Sequence, residues 1–181
     1  MRRRIMVGAP IGAALVAVAG TAAWWFWPPH VDHSLMAEAS PIIDRHLENR
    51  SAGLPGEISP PAESSARWFC AERTIETHRR GTEMLVSLIT DCREYALHGT
   101  ELHYDSASQE PLLVTLDRAS GRLVVRRVTA ALEGAMFDPS LKRMFSRRAY
   151  RTYRLDDEPP SPDAEARRAF GLPSDAPVHS V

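Results

Sequence analysis

Glu72, Glu76 and His78 share the parity of one extended run, so on a straight strand all three line a single face. Two carboxylates beside an imidazole are the groups that bind a cation or move a proton. No motif places a second histidine or a nucleophile beside them, so a solvated sheet face is the preferred reading and the trio stands as a candidate ligand face. Glu101 and His103 are likewise two residues apart with His98 nearby, a set of metal-capable side chains that lacks a fixed third ligand. His30 and His33 flank Asp32 and are read the same way. Lys142, Arg143, Arg147, Arg148, Arg151 and Arg154 interleave with Phe145, Tyr150 and Tyr153, a pattern suited to anionic polymer or headgroups but read here as a solvated helix face. There is no Gly-rich phosphate loop, no zinc-ligand pair and no Gly-x-Ser-x-Gly elbow. Catalytic, cofactor-binding and metal-binding residues are therefore expected to be none.

Cys70 and Cys92 are the only cysteines, and they are equidistant from Gly81. If Gly81 centres a hairpin loop, the two face each other across antiparallel strands, at a separation that a disulfide accepts. Closing that loop stabilises a small domain by about 3 kcal/mol in the chain-entropy view.

The elements that would position these residues begin with an apolar segment. Ile5 to Trp27 runs 23 residues without a charge, enough at about 1.5 Å per residue to cross a bilayer. Arg2, Arg3 and Arg4 precede it, so the positive-inside rule leaves residues 1–4 in the cytoplasm and the remainder outside. Trp24, Trp25, Phe26 and Trp27 close the segment as a membrane-interface belt, and Pro28 with Pro29 stop the helix. Small residues at 17–19 and 21–23 also suit signal-peptide cleavage and secretion, but the aromatic run favours a retained anchor over 5–27. Lipidation would need a cysteine near the segment's end, and Cys70 is the first. The whole chain has a formal charge of −1 at pH 7; taking away the three leading arginines leaves 19 basic against 23 acidic groups. A mildly acidic exported portion argues against nucleic acid as a partner. Membrane lipid, through the N-terminal helix, and an unidentified protein or envelope component are the partners expected.

After a juxtamembrane stretch at 28–33, Leu35, Ala39, Ile42, Ile43, His46 and Leu47 fall at helical spacing, with Ser34 or Ser40 as candidate cap. Pro41 either kinks this helix or opens it. Strands follow from Trp68 to His78 and from Glu83 to Tyr95, with a third from Leu97 to Tyr104. Residues 105–110 read as a turn, and a second hairpin forms around Ala119-Ser120-Gly121. Asp138 and Pro139 mark a helix start, as cap and first helical residue, for a short C-terminal helix that lies back on the sheet. The expectation is an α+β domain over 34–154, a helix with a four- or five-stranded antiparallel meander. Beyond it, 155–181 is expected to be a mostly disordered tail with one brief capped segment from Ser161 to Phe170, closed by Gly171.

Four pieces of the chain resemble a pattern in small secreted or membrane-tethered proteins of actinobacteria and bacilli: Phe69-Cys70-Ala71-Glu72, Cys92-Arg93-Glu94-Tyr95, Ser106 to Leu116, and Phe137-Asp138-Pro139-Ser140-Leu141 with Phe145-Ser146. The resemblance implies a cystatin-like or NTF2-like fold, a helix cradled by a curled antiparallel sheet, and no known activity. Lys142, the only lysine among 22 basic residues, fits such a high-GC source. The function expected is a non-enzymatic binding domain, with a small-ligand pocket or a weak hydrolase as the alternative.

Overall fold

The computed structural model describes residues 27–52, 66–156 and 160–181. Apart from Trp27, the apolar segment lies outside them, and no helix among the described residues is long and apolar enough to cross a membrane. The fold is α+β. Helix α1 (His33–Ala52) precedes strands β1 (Arg67–Arg80), β2 (Glu83–His98), β3 (Glu101–Ala119) and β4 (Arg122–Ala130). A 3-10 turn at Gly134–Met136 leads into α2 (Phe137–Met144) and α3 (Arg147–Leu155), then α4 (Asp163–Ala169) and β5 (Val178–Ser180). β1 to β4 form an antiparallel meander in sequence order, and β5 pairs parallel with β3, so the sheet is mixed and open.

Helix α1 starts earlier than its candidate caps suggested. The Asp32 carboxylate accepts the Leu35 N–H at 3.0 Å, satisfying a donor that the first helical turn leaves free. The helix then runs through Pro41 rather than opening there. Met36, Ala39, Ile43 and Leu47 form its buried stripe, against Val86, Leu88, Val114 and Leu116 of the sheet. Burial of each large side chain contributes about 1.5–3 kcal/mol, and together they offset the roughly 3 kcal/mol cost of an internal proline. His46, expected on or beside the stripe, is exposed.

The meander turns at Gly81-Thr82, Gly99-Thr100 and Ser120-Gly121, where Gly81 and Gly99 have φ 62° and 65° and Ser120 and Gly121 have φ 51° and 80°. Two consecutive positive φ values are what a type I′ hairpin turn requires. The turn at Gly99-Thr100 splits the strand expected over Leu97 to Tyr104 between β2 and β3. Residues 105–110, expected as a turn, belong to β3, one long strand paired with β2 from Glu101 to Leu116 apart from Asp105. A register shift between Glu94 and Tyr95 absorbs one extra residue of β3 at this point. Pro111 fits inside the strand because β4 reaches only to Leu112, so that side of β3 is an edge there.

The opposite face of the sheet carries Ile75 and Ile89 beneath Leu141, Phe145 and Ala149 of the α2–α3 region. Asp138 lies in the first turn of α2 without capping it; its carboxylate pairs with Lys142 at 2.6 Å and accepts from the Tyr150 hydroxyl. Further along that face Phe69, Tyr95 and Leu102 pack on Ala166 of α4.

The disordered tail expected over 155–181 is corrected over the residues described. Arg167 of α4 donates to the Ala176 carbonyl at 2.8 Å, and Asp163 accepts from Tyr95 and Arg93 at 2.5 and 3.1 Å. Pro162, Ala166 and Ala176 are buried. A few small residues and one carboxylate dock the segment, so its Pro- and Asp-rich composition conceals the contacts. In place of the capped segment expected from Ser161 to Phe170, the helix spans Asp163–Ala169 with Pro162 at its N-cap; the Asp163 N–H donates to the Ser161 hydroxyl at 3.2 Å, and Gly171 (φ 70°) follows its end.

Candidate functional site

Cys70 and Cys92 are directly opposed and joined by a disulfide. Their symmetry about Gly81 hides two compensating features. The turn is centred between Gly81 and Thr82, so Arg80 faces Glu83 and Glu76 faces Ser87. Continued without interruption, that register would set Cys70 against Arg93. Ile75 is an extra residue in β1, and beyond it Thr74 faces Leu88 and Cys70 faces Cys92.

The same bulge breaks the candidate ligand face. Residues before and after it differ in parity, so Glu72 lies on the α1 face while Glu76 and His78 point to the other side. The Glu76 carboxylate accepts the Ser146 hydroxyl at 2.9 Å, at the N-cap of α3. His78 is exposed near the hairpin tip. Glu72, Glu76 and His78 therefore form no common site.

Glu72 has a partner that sequence spacing did not reveal. Both of its carboxylate oxygens and Asp44 Oδ1 are buried without a hydrogen-bond partner, beneath α1. Burial first, then the adjacent Glu72 carboxyl, push the Asp44 carboxyl up to about 9. Glu48 is also raised, by burial and then by Glu165, against the opposing effects of the Cys70 N–H and Arg67. Asp44 is one residue from Ile43 on the buried stripe, and this helical proximity is the one signal that could have marked it. Chemically, a protonated carboxyl beside a second one can hold or pass a proton, but it is wedged between helix and sheet.

A second polar cluster lies on the opposite face. Asp91, fully buried, accepts two bonds from the Arg93 guanidinium, at 2.5 and 3.1 Å. Arg93 also stacks over Tyr104 at 4.7 Å. Burial and then the Asp163 carboxylate push the Tyr95 phenol well above its ordinary value. This is a closed hydrogen-bonded lock between sheet and α4, with every charge satisfied.

At the hairpin end, a cavity of about 130 Å³ is lined by His30, Asp32, Leu35, Thr77, His78, Arg79 and Met84. His30 and Asp32 meet the sheet there: Thr77 N–H donates to the His30 carbonyl at 2.8 Å, and Asp32 N–H to the Thr77 hydroxyl at 2.7 Å. His30 and Asp32 are thus stitched to β1. Trp24, Trp25 and Phe26 lie outside the described residues, and Trp27 is exposed. In the basic stretch Lys142 pairs with Asp138, and Arg147, Arg148 and Arg151 have partners of their own. At the far end of the sheet His98, Glu101 and His103 do come together, joined by His179 from β5.

The fold and these clusters define a class: a disulfide-closed α+β domain whose open sheet is covered by helices on both faces. No family model matches the chain, and no curated protein or solved structure matches it either.

Proposed function

We propose that this chain is a membrane-anchored extracytoplasmic binding domain with no chemistry of its own, held to lipid by Ile5–Trp27 with residues 1–4 in the cytoplasm. Its closest architectural description, a helix laid across an antiparallel meander, is in our reading cystatin-like or NTF2-like. The observation that carries the binding reading is the packing on both faces of the sheet among the described residues. Met36, Ile43 and Leu47 close one face of the sheet and Leu141, Phe145 and Ala149 the other. The cavity at the hairpin end, about 130 Å³, falls below the roughly 300–1,000 Å³ of a small-molecule site. The groups expected to line a pocket are dispersed over two faces, which weighs against the weak hydrolase. Supporting the address, a disulfide suits an oxidising compartment, and His30 is bonded to the sheet three residues after Trp27.

Crosslinking on intact cells tests the reading, with the full chain compared to a form in which 1–27 is replaced by a cleaved secretion signal. The full chain is expected in the alkali-resistant membrane fraction with a discrete crosslinked partner that the released form loses. A full chain recovered in the culture fluid, or a partner held equally by both forms, would overturn it.

A further inference from the structure

Four metal-capable side chains occupy neighbouring positions on one face at the end of the sheet farthest from the hairpin cavity. His98 of β2 stands opposite Glu101 of β3, and His103, two residues along β3, stands opposite His179 of β5. The side-chain period of two puts Glu101 and His103 on the same face, and cross-strand pairing brings the other two alongside. Ring centroids are 4.9 Å apart for His98 and His103, and 5.1 Å for His103 and His179. Glu101 Oε2 lies 3.5 Å from His179 Nε2 and 3.8 Å from His103 Nε2.

We infer that His98, Glu101, His103 and His179 form a surface site for a divalent transition cation of the zinc class. Four-coordinate zinc with bonds of about 2.0–2.1 Å holds its donors about 3.3 Å apart. The two Glu101–imidazole separations exceed that by only a few tenths of an ångström. Among the described residues no three such side chains already surround a common point, so binding requires the rings to turn inward. Turning them gives up little, since among the described residues the ion pairs of His103 and His179 are with Glu101, which the cation would bridge, and His98 and His179 are exposed. Exposed rotamers exchange within nanoseconds. Imidazole nitrogens with one carboxylate select zinc, copper or nickel over magnesium and calcium, which prefer oxygen shells.

The site draws on three strands, and this determines its effect. A cation held by His179 and His103 ties the three-residue β5 to β3, and His98 extends the tie to β2. Binding would therefore fasten the C-terminal segment, which sequence composition alone presents as a tail.

Calorimetric titration of the detergent-solubilised, disulfide-bonded full chain with Zn²⁺ tests this, with calcium and magnesium in parallel and backbone amide exchange at 178–181 as second readout. One zinc per chain is expected, with slower exchange in β5 and no response to calcium or magnesium. H179A and H98A each replace an exposed ring, and each is expected to weaken zinc binding by about tenfold or more. Their unfolding midpoints without metal serve as the control for folding. Zinc affinity unchanged in H179A, or no saturable binding in the folded wild-type domain, would overturn the proposal.

Discussion

A carboxyl that is held protonated makes folding depend on pH in the opposite sense to an ordinary paired acid. Asp44 is such a group, raised from 3.8 to about 9 by burial first and by Glu72 next. In the unfolded chain it loses its proton near 3.8, whereas in the folded domain it retains it until about 9. Between those values the folded state binds more protons than the unfolded one, so stability falls as pH rises across the window and levels off above it. Asp44 is only partly enclosed, and solvent screening reduces the effect to about 1–2 kcal/mol. Asp44→Asn keeps the shape and removes the ionisation. Urea midpoints measured from pH 5 to 9 should fall with pH in the wild type more than in D44N, and D44N should be the more stable of the two at pH 8. Parallel pH profiles would show that the pair does not govern folding.

At the scale of elements, one bulge determines what the strands present. With Ile75 as an extra residue, Cys70 meets Cys92 and Glu72 turns toward α1. Deleting Ile75 removes the bulge yet leaves Thr74 opposite Leu88 and Cys70 opposite Cys92, and it takes away a buried side chain packed with Phe145. The deletion variant should therefore carry no free thiols by alkylation and mass analysis after oxidative expression, like the wild type, while its urea midpoint falls by the equivalent of about 2–5 kcal/mol for the lost buried side chain. Two free thiols in that variant would mean that the pairing beyond the bulge does not set the register of the outer half of β1.

The same residue separates what could be read in the sequence from what could not. The hairpins at Gly81 and Ser120-Gly121 were legible because those residues supply positive φ locally, whereas the one at Gly99-Thr100 was missed inside a run read as strand. The helical stripe was legible because Ala39, Ile43 and Leu47 repeat at helical spacing. The disulfide was legible as a pair. Nothing local marks Ile75 as an added residue, because a bulge is defined by the partner strand. Likewise 105–110 resembles a turn in composition, yet pairing with β2 carries it as strand. Glu72, Glu76 and His78 were grouped by parity alone, and Asp44 and His179 were missed because their neighbours come from distant chain segments.

For the whole molecule, the consequential feature is how little chain separates the proposed anchor from the domain. His30 is hydrogen-bonded to Thr77, and three residues of fully extended chain from Trp27 reach at most about 11 Å. The Gly81-Thr82 turn lies five residues beyond Thr77, within about 17 Å along the strand. That end carries Arg79, Arg80 and, on the next hairpin, Arg122, all exposed. If Ile5–Trp27 spans a bilayer, this end is set against the headgroups, where each arginine contributes about 1 kcal/mol on an anionic surface. Val86 stands across from Thr77, and the 12 residues on to His98 extend β2 by up to about 40 Å. The histidine cluster and the C-terminal strand then point away from the membrane, toward whatever the domain meets. Spin labels at Thr82→Cys and Thr100→Cys in the full chain, reconstituted in vesicles carrying headgroup-chelated gadolinium, a hard cation that prefers oxygen shells to imidazole, distinguish the two ends. Relaxation should be strong at position 82 and weak at position 100. Equal relaxation at both would mean that the domain lies on its side or tumbles free, and the short tether would then not orient it.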